Sequence, residues 1–171
     1  FIRPEQFSHE VFNIEGPKIG LNWASDRNTH RFGNDGVDKL NVILDFCKNL
    51  VTNYRATIYL IEHLMPNELN EKTKIETRKL FKDILGDSGK ILFEELNQEL
   101  YPMFEYTAPF FADIYKQMDL VVGSRGHASI VSFGMNVPFI GLGQHNKVKW
   151  FLEDVGLGDC IVRLDKKNDD D

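Results

Sequence analysis

Short continuous apolar runs alternate along this chain with segments of helical period, and that alternation limits its possible folds more than any other feature. Runs of strand length stand at Ile19-Gly20-Leu21-Asn22-Trp23, Thr57-Ile58-Tyr59-Leu60-Ile61, Ile91-Leu92-Phe93, Leu120-Val121-Val122, Phe139-Ile140-Gly141-Leu142 and Ile161-Val162-Arg163-Leu164. Most are apolar throughout, as strands covered on both faces must be. Between them Val37, Leu40, Leu44, Cys47 and Val51 form one helical stripe, and Val148, Phe151, Leu152 and Val155 another. Weaker helical segments are expected over about 74–85, 109–118 and 127–135. Parallel strands need crossover helices, and right-handed crossovers place those helices on both faces of the sheet. The expectation is therefore an α/β fold: a doubly wound, mostly parallel, six-stranded Rossmann-like sheet in the order 3-2-1-4-5-6. Ligands of such sheets sit beyond the carboxyl ends of the strands, at the switch between strands 1 and 4.

Composition narrows the partners. The 171 residues carry 20 basic and 26 acidic side chains, a formal net charge of −6. No overall positive field exists to hold nucleic acid or an anionic membrane. Two cysteines, Cys47 and Cys160, lack the spacing of a metal clip and are too few to staple the domain, so a reducing, cytoplasmic setting is expected. No apolar run approaches the roughly 20 residues of a membrane span. The chain opens on Phe1 rather than Met, which suggests a single domain over 1–165, excised from a longer protein, with an acidic tail over 166–171 that stays solvated.

Three strand ends collect the residues suited to chemistry. After strand 4 the chain reads Gly123-Ser124-Arg125-Gly126-His127-Ala128-Ser129 and then turns apolar, which is a strand, a tight turn and a helix start. The unpaired N–H groups and dipole of a first helical turn attract an anion, and Gly126 lets a ligand approach the backbone. Arg125 adds a forked donor for phosphate or carboxylate. His127 beside a bound anion would favour its protonated form and could donate a proton. The plainer alternative has Arg125 paired with an acidic neighbour and His127 capping the turn. Ser124 and Ser129 read as anion or cap donors, not as members of a Ser-His-Asp triad.

The loop after strand 1 holds Ser25-Asp26-Arg27-Asn28-Thr29-His30-Arg31. Arg27 and Arg31 are candidates for a second anionic group, and Asp26 and Asn22 for holding a hydroxyl or orienting an arginine; a solvated loop capping the next helix is the alternative. No G-x-G-x-x-G turn follows strand 1, which argues against a dinucleotide cofactor there. After strand 5, Gly141-Leu142-Gly143-Gln144-His145-Asn146-Lys147 brings His145 and Lys147 to another helix start, where Lys147 either supplies a third positive charge or lies exposed in solvent. No His, Cys and carboxylate cluster has zinc spacing, so no metal is assigned.

Val121-Val122-Gly123-Ser124-Arg125-Gly126-His127-Ala128, then Gly134-Met135-Asn136-Val137-Pro138-Phe139-Ile140, then Lys147 with Trp150-Phe151-Leu152-Glu153-Asp154-Val155-Gly156-Leu157, together resemble the polysaccharide pyruvyl transferase family. Ser25-Asp26-Arg27 also looks like the loop after that family's first strand. The resemblance implies a donor-side, C-terminal domain of a GT-B-like enzyme whose N-terminal domain lies outside this sequence. It implies transfer of a pyruvyl group from phosphoenolpyruvate to two hydroxyls of a sugar in a polysaccharide or glycan, forming a ketal, with no cofactor. On the matching positions, His127 and Arg125 would be catalytic, with Lys147 and Arg27 holding phosphate or carboxylate. Asn22, Asp26, Ser124, Gly126 and His145 would complete the substrate site. Gly126 stands where many relatives carry leucine or another side chain. The isolated half is expected to be inactive, because a cleft enzyme split at its hinge loses orientation and water exclusion together. Two other readings of the fold are a glycosyltransferase or nucleotide-sugar epimerase donor domain and a non-catalytic interaction domain.

Overall fold

A computed structural model describes residues 10–24, 36–63, 72–96, 108–143 and 146–164. Six strands, β1 (Lys18–Asn22), β2 (Thr57–Leu60), β3 (Gly89–Ile91), β4 (Leu120–Gly123), β5 (Phe139–Gly143) and β6 (Ile161–Arg163), form one sheet in the order β3-β2-β1-β4-β5-β6. Every neighbouring pair is parallel. The order and direction match the doubly wound expectation, with the winding reversing between β1 and β4. Five strands begin and end within one residue of the expected runs, and one run differs more. The run Ile91-Leu92-Phe93 is not a strand throughout: β3 ends at Ile91 and Leu92 opens a single helical turn. Leu92 is fully buried in that turn, so the apolar run continues across a change of secondary structure.

The helices are α1 (Gly36–Tyr54), α2 (Lys72–Leu85), the short α3 (Leu92–Glu95), α4 (Ala108–Lys116), α5 (Gly126–Gly134) and α6 (Asn146–Asp154). Strand side chains alternate between faces, and each face has its own helices. Ile19, Leu21, Ile58, Leu60 and Val122 pack with Leu40, Leu44 and Cys47 of α1 and Phe81 of α2. Tyr59, Ile61, Val121 and Phe139 pack on the other face with Ile114 and Tyr115 of α4, Ala128 of α5 and Leu152 of α6. Leu40, Leu44 and Cys47 of the expected α1 stripe are thus buried. A fully buried leucine such as Leu44 contributes roughly 1.5–3 kcal/mol through removal from water.

Gly123, the last residue of β4, sets how closely α5 approaches the sheet. A Cβ there would lie 3.2 Å from Cβ of Ala128, 3.2 Å from Cε2 of Phe139 and 3.3 Å from Cβ of Asn22. Two of those three atoms are fixed to backbone, so the helix start would have to lift. Gly126, one turn of chain later, has nothing within 4 Å of such an added carbon. Gly123→Ala is therefore expected to cost about 1–3 kcal/mol in a urea melt, and Gly126→Ala to change stability by no more than roughly 0.5 kcal/mol.

Candidate active site

The carboxyl ends of β2, β1 and β4 are tied together through two buried polar side chains. Asn22, the last residue of β1, donates from Nδ2 to the carbonyl of Ile61 beyond β2 at 2.7 Å. Its own carbonyl accepts the N–H of Ser124 at 3.0 Å. The Ser124 hydroxyl accepts the Ala24 N–H at 2.9 Å and donates to the Asn22 carbonyl at 3.3 Å. Ser124 and Asn22 are both buried. The chain needs polar groups there because the strands end and their backbone groups lose the ladder. Ser124 thus stitches β1 to β4 at the switch point, and Asn22 stitches β1 to β2.

From Ser124 the backbone enters α5. Arg125 is its N-cap, in extended conformation (φ −107°, ψ 140°), with no side-chain cap. Its carbonyl accepts the N–H of Ala128 at 3.1 Å, so the N–H groups of Gly126 and His127 precede the first intrahelical bond. Ser129 turns its hydroxyl back to the Gly126 carbonyl at 2.8 Å, inside the helix. Partial burial of the Arg125 guanidinium pulls its pKa below the usual arginine value. His127 is exposed. The strand–turn–helix inferred for Ser124, Arg125, Gly126 and His127 is therefore present at the switch point, with a helix start open to an anion.

A residue that sequence reasoning passed over faces His127. His63, three positions beyond the end of β2, has its ring nearly parallel to that of His127, with centroids 6.4 Å apart and planes at 21°. His63 Nε2 lies 2.8 Å from Oη of Tyr115 on α4, and Phe111 of α4 covers the ring at 4.3 Å. Burial, and then the charge of His127, hold the His63 imidazole down at about 4. The signal was the period of two in Tyr59, Ile61 and His63, which continues one face of β2 past its carboxyl end.

The adjacent residue takes the opposite face. Glu62 is buried and accepts from Arg78 Nε of α2 at 3.1 and 2.9 Å on its two oxygens. Arg78 Nη2 is 2.8 Å from Oε2, off the hydrogen-bonding angle, and so adds Coulomb attraction rather than another hydrogen bond. Desolvation still raises the Glu62 carboxyl above the usual range, with Arg78 and then Lys74 opposing it. The guanidinium of Arg78 stands 5.1 Å over the Phe93 ring.

Of the remaining sequence candidates, one stands at another helix start and the others lie outside the described residues. Lys147 is the second residue of α6 and exposed. Asp26, Arg27, Arg31 and His145 lie outside the described residues. Cys47 is a core residue whose thiol burial pushes up to about 12, which leaves it no nucleophilic role. Among the described residues no three His, Cys, Asp or Glu side chains gather as metal ligands, and no helix is long and apolar enough to cross a membrane.

The family profile of polysaccharide pyruvyl transferase matches residues 30–146, more than half of the chain. The chain belongs to the polysaccharide pyruvyl transferase family. The matched span contains His63, Tyr115, Ser124, Arg125, Gly126, His127 and His145, whereas Asn22, Asp26, Arg27 and Lys147 fall outside it. No curated protein and no solved structure matches the chain.

The Glu62–Arg78 pair anchors the β2 end that carries His63. Arg78→Ala is expected to cost roughly 3–5 kcal/mol in chemical denaturation, because it strands a buried carboxylate. The double variant Glu62→Gln with Arg78→Met should recover most of that loss.

Proposed function

We infer that this chain is the donor-side domain of a pyruvyl transferase that uses phosphoenolpyruvate and forms a ketal on two hydroxyls of a sugar. The observation that carries this reading is the helix start at the β1/β4 switch point, with Arg125 and His127 flanking Gly126, in a chain of the polysaccharide pyruvyl transferase family. Phosphoenolpyruvate carries a phosphate and a carboxylate. A site for it needs cationic donors and oriented N–H groups, and Arg125 with the first turn of α5 supplies both. Lys147 and Arg27 are the further cations of this reading.

His127 is the general acid. It protonates the methylene carbon of the enol, which develops cationic character at the neighbouring carbon, where a hydroxyl oxygen bonds. Phosphate then leaves as the second hydroxyl closes the ketal. The acceptor approaches from a partner domain outside this sequence. Acid–base assistance of this kind is worth about 10² to 10⁴ in rate.

Selective ligation of the native state raises its melting temperature. Phosphoenolpyruvate is expected to raise the melting temperature of the chain, and a uridine diphosphate sugar is expected to leave it unchanged. The reverse order would favour a glycosyltransferase donor site, and no response to either would favour a non-catalytic domain. In the complete enzyme His127→Ala should lower turnover by about 10² to 10⁴ while the donor still binds; unchanged turnover removes His127 from the mechanism.

A further inference from the structure

Addition of a hydroxyl to an enol ester needs two proton-handling groups in opposite states, one charged donor and one neutral acceptor. Enzymes meet that need by placing two titratable groups in environments that separate their proton affinities. The end of β2 and the start of α5 provide such a pair. His127 is exposed, at the N-terminal turn of α5. His63 is packed between Phe111 and Tyr115 of α4, with its ring nearly parallel to that of His127 at 6.4 Å. Two imidazolium ions at that separation repel, so a proton on one ring disfavours a proton on the other.

We propose that His63 is the general base of the transfer, taking the proton of the attacking sugar hydroxyl on Nδ1 while His127 delivers its own proton to the enol carbon. This rests on the pyruvyl-transfer reading and adds to it the residue that activates the acceptor. The Tyr115 hydroxyl occupies Nε2 at 2.8 Å. The proposed tautomer has Nε2–H donating to Tyr115 Oη, which leaves the lone pair on Nδ1. That same hydrogen bond persists after Nδ1 gains a proton. The hydroxyl oxygen bonds to the central carbon of the enol as its O–H bond breaks toward His63. The π pair takes the His127 proton at the methylene carbon, which becomes methyl. The histidine pair carries one proton before the step and one after it. The second hydroxyl then displaces phosphate, which departs with the electron pair of the C–O bond and takes up the second hydroxyl's proton.

Among the described residues, the charge that bears on His63, after its burial, is that of His127. Glu62, its chain neighbour, is engaged by Arg78 of α2, with Lys74 of α2 acting on the same carboxylate. Asp113 is buried on α4, and Arg125 caps α5. Of these groups, His127 is the one whose charge bears on the His63 imidazole; the low proton affinity of that ring, about 4, keeps it an acceptor at neutral pH.

The test is imidazole ¹⁵N NMR on the chain, with and without phosphoenolpyruvate, joined to a phosphate-release assay in the complete enzyme with a panel of p-nitrophenyl hexosides. His63 is expected to be neutral at pH 6 in the Nε2–H tautomer. In His127→Ala its titration midpoint should rise by roughly half to one pH unit as the neighbouring charge is removed. His63→Gln should lower kcat by about 10² to 10⁴ while the stabilisation by phosphoenolpyruvate is retained; a merely structural role would lower both. An Nδ1–H tautomer, a charged His63 at pH 6, a midpoint indifferent to His127→Ala, or an undiminished kcat overturns the proposal. Failure of phosphoenolpyruvate to stabilise the wild-type chain instead defeats the donor reading, and the tautomer and coupling still decide whether the histidine pair exists.

Discussion

The amide of Asn22 is the interaction on which the rest of this end of the molecule depends. A parallel sheet stops its ladder at the carboxyl ends of its strands, and the backbone groups released there need partners. Asn22 reaches sideways to the Ile61 carbonyl beyond β2, and its own carbonyl collects the Ser124 N–H and hydroxyl beyond β4. Three strand ends are thereby held in fixed relation at the point where the winding reverses. Each bond is worth only about 0.5–1.5 kcal/mol net, but a buried group left unpaired costs about 1–3 kcal/mol. The stitch is therefore modest in stability and decisive for geometry, since His63 leaves the sheet two residues beyond one anchor and His127 three beyond the other.

The site combines a rigid base with contrasting electrostatic surroundings. On the β4 side, Gly123 and Ala128 bring α5 down onto the sheet and point its first turn outward. On the β2 side, Phe111 and Tyr115 remove one imidazole from water, while Glu62 and Arg78 neutralise each other on the opposite face. Two side chains of one kind, both histidines, are thus placed in unlike surroundings, one packed away from water and one exposed to it. Catalysis by proton transfer needs that contrast more than it needs either group alone.

Much of this was legible in the sequence, because strand order follows from pattern and connection rules. Continuous apolar runs separated by helical stripes yield the 3-2-1-4-5-6 order, and the strand–turn–helix at Gly123 to Ser129 places Arg125 and His127 without any coordinates. The boundary at Leu92 was not legible, since a buried helical turn and a buried strand share one apolar composition. Nor was the structural work of the Asn22 Nδ2 group and the Ser124 hydroxyl, which hold strand ends together while Asn22 Oδ1 is buried with no hydrogen-bond partner among the described residues. His63 was hidden for a different reason. Its partners, Phe111, Tyr115 and His127, lie some fifty to sixty residues further along, and only the packing of α4 against β2 and α5 brings them together.

The central claim is that an anionic donor binds where α5 begins, beside the histidine pair. Titrating phosphoenolpyruvate into ¹⁵N-labelled chain and following amide and imidazole shifts tests it directly. The account predicts the largest, saturable changes at the Gly126 and His127 amides and at the His63 and His127 rings. Changes centred elsewhere, for instance along β6, with the α5 start unmoved, would contradict it.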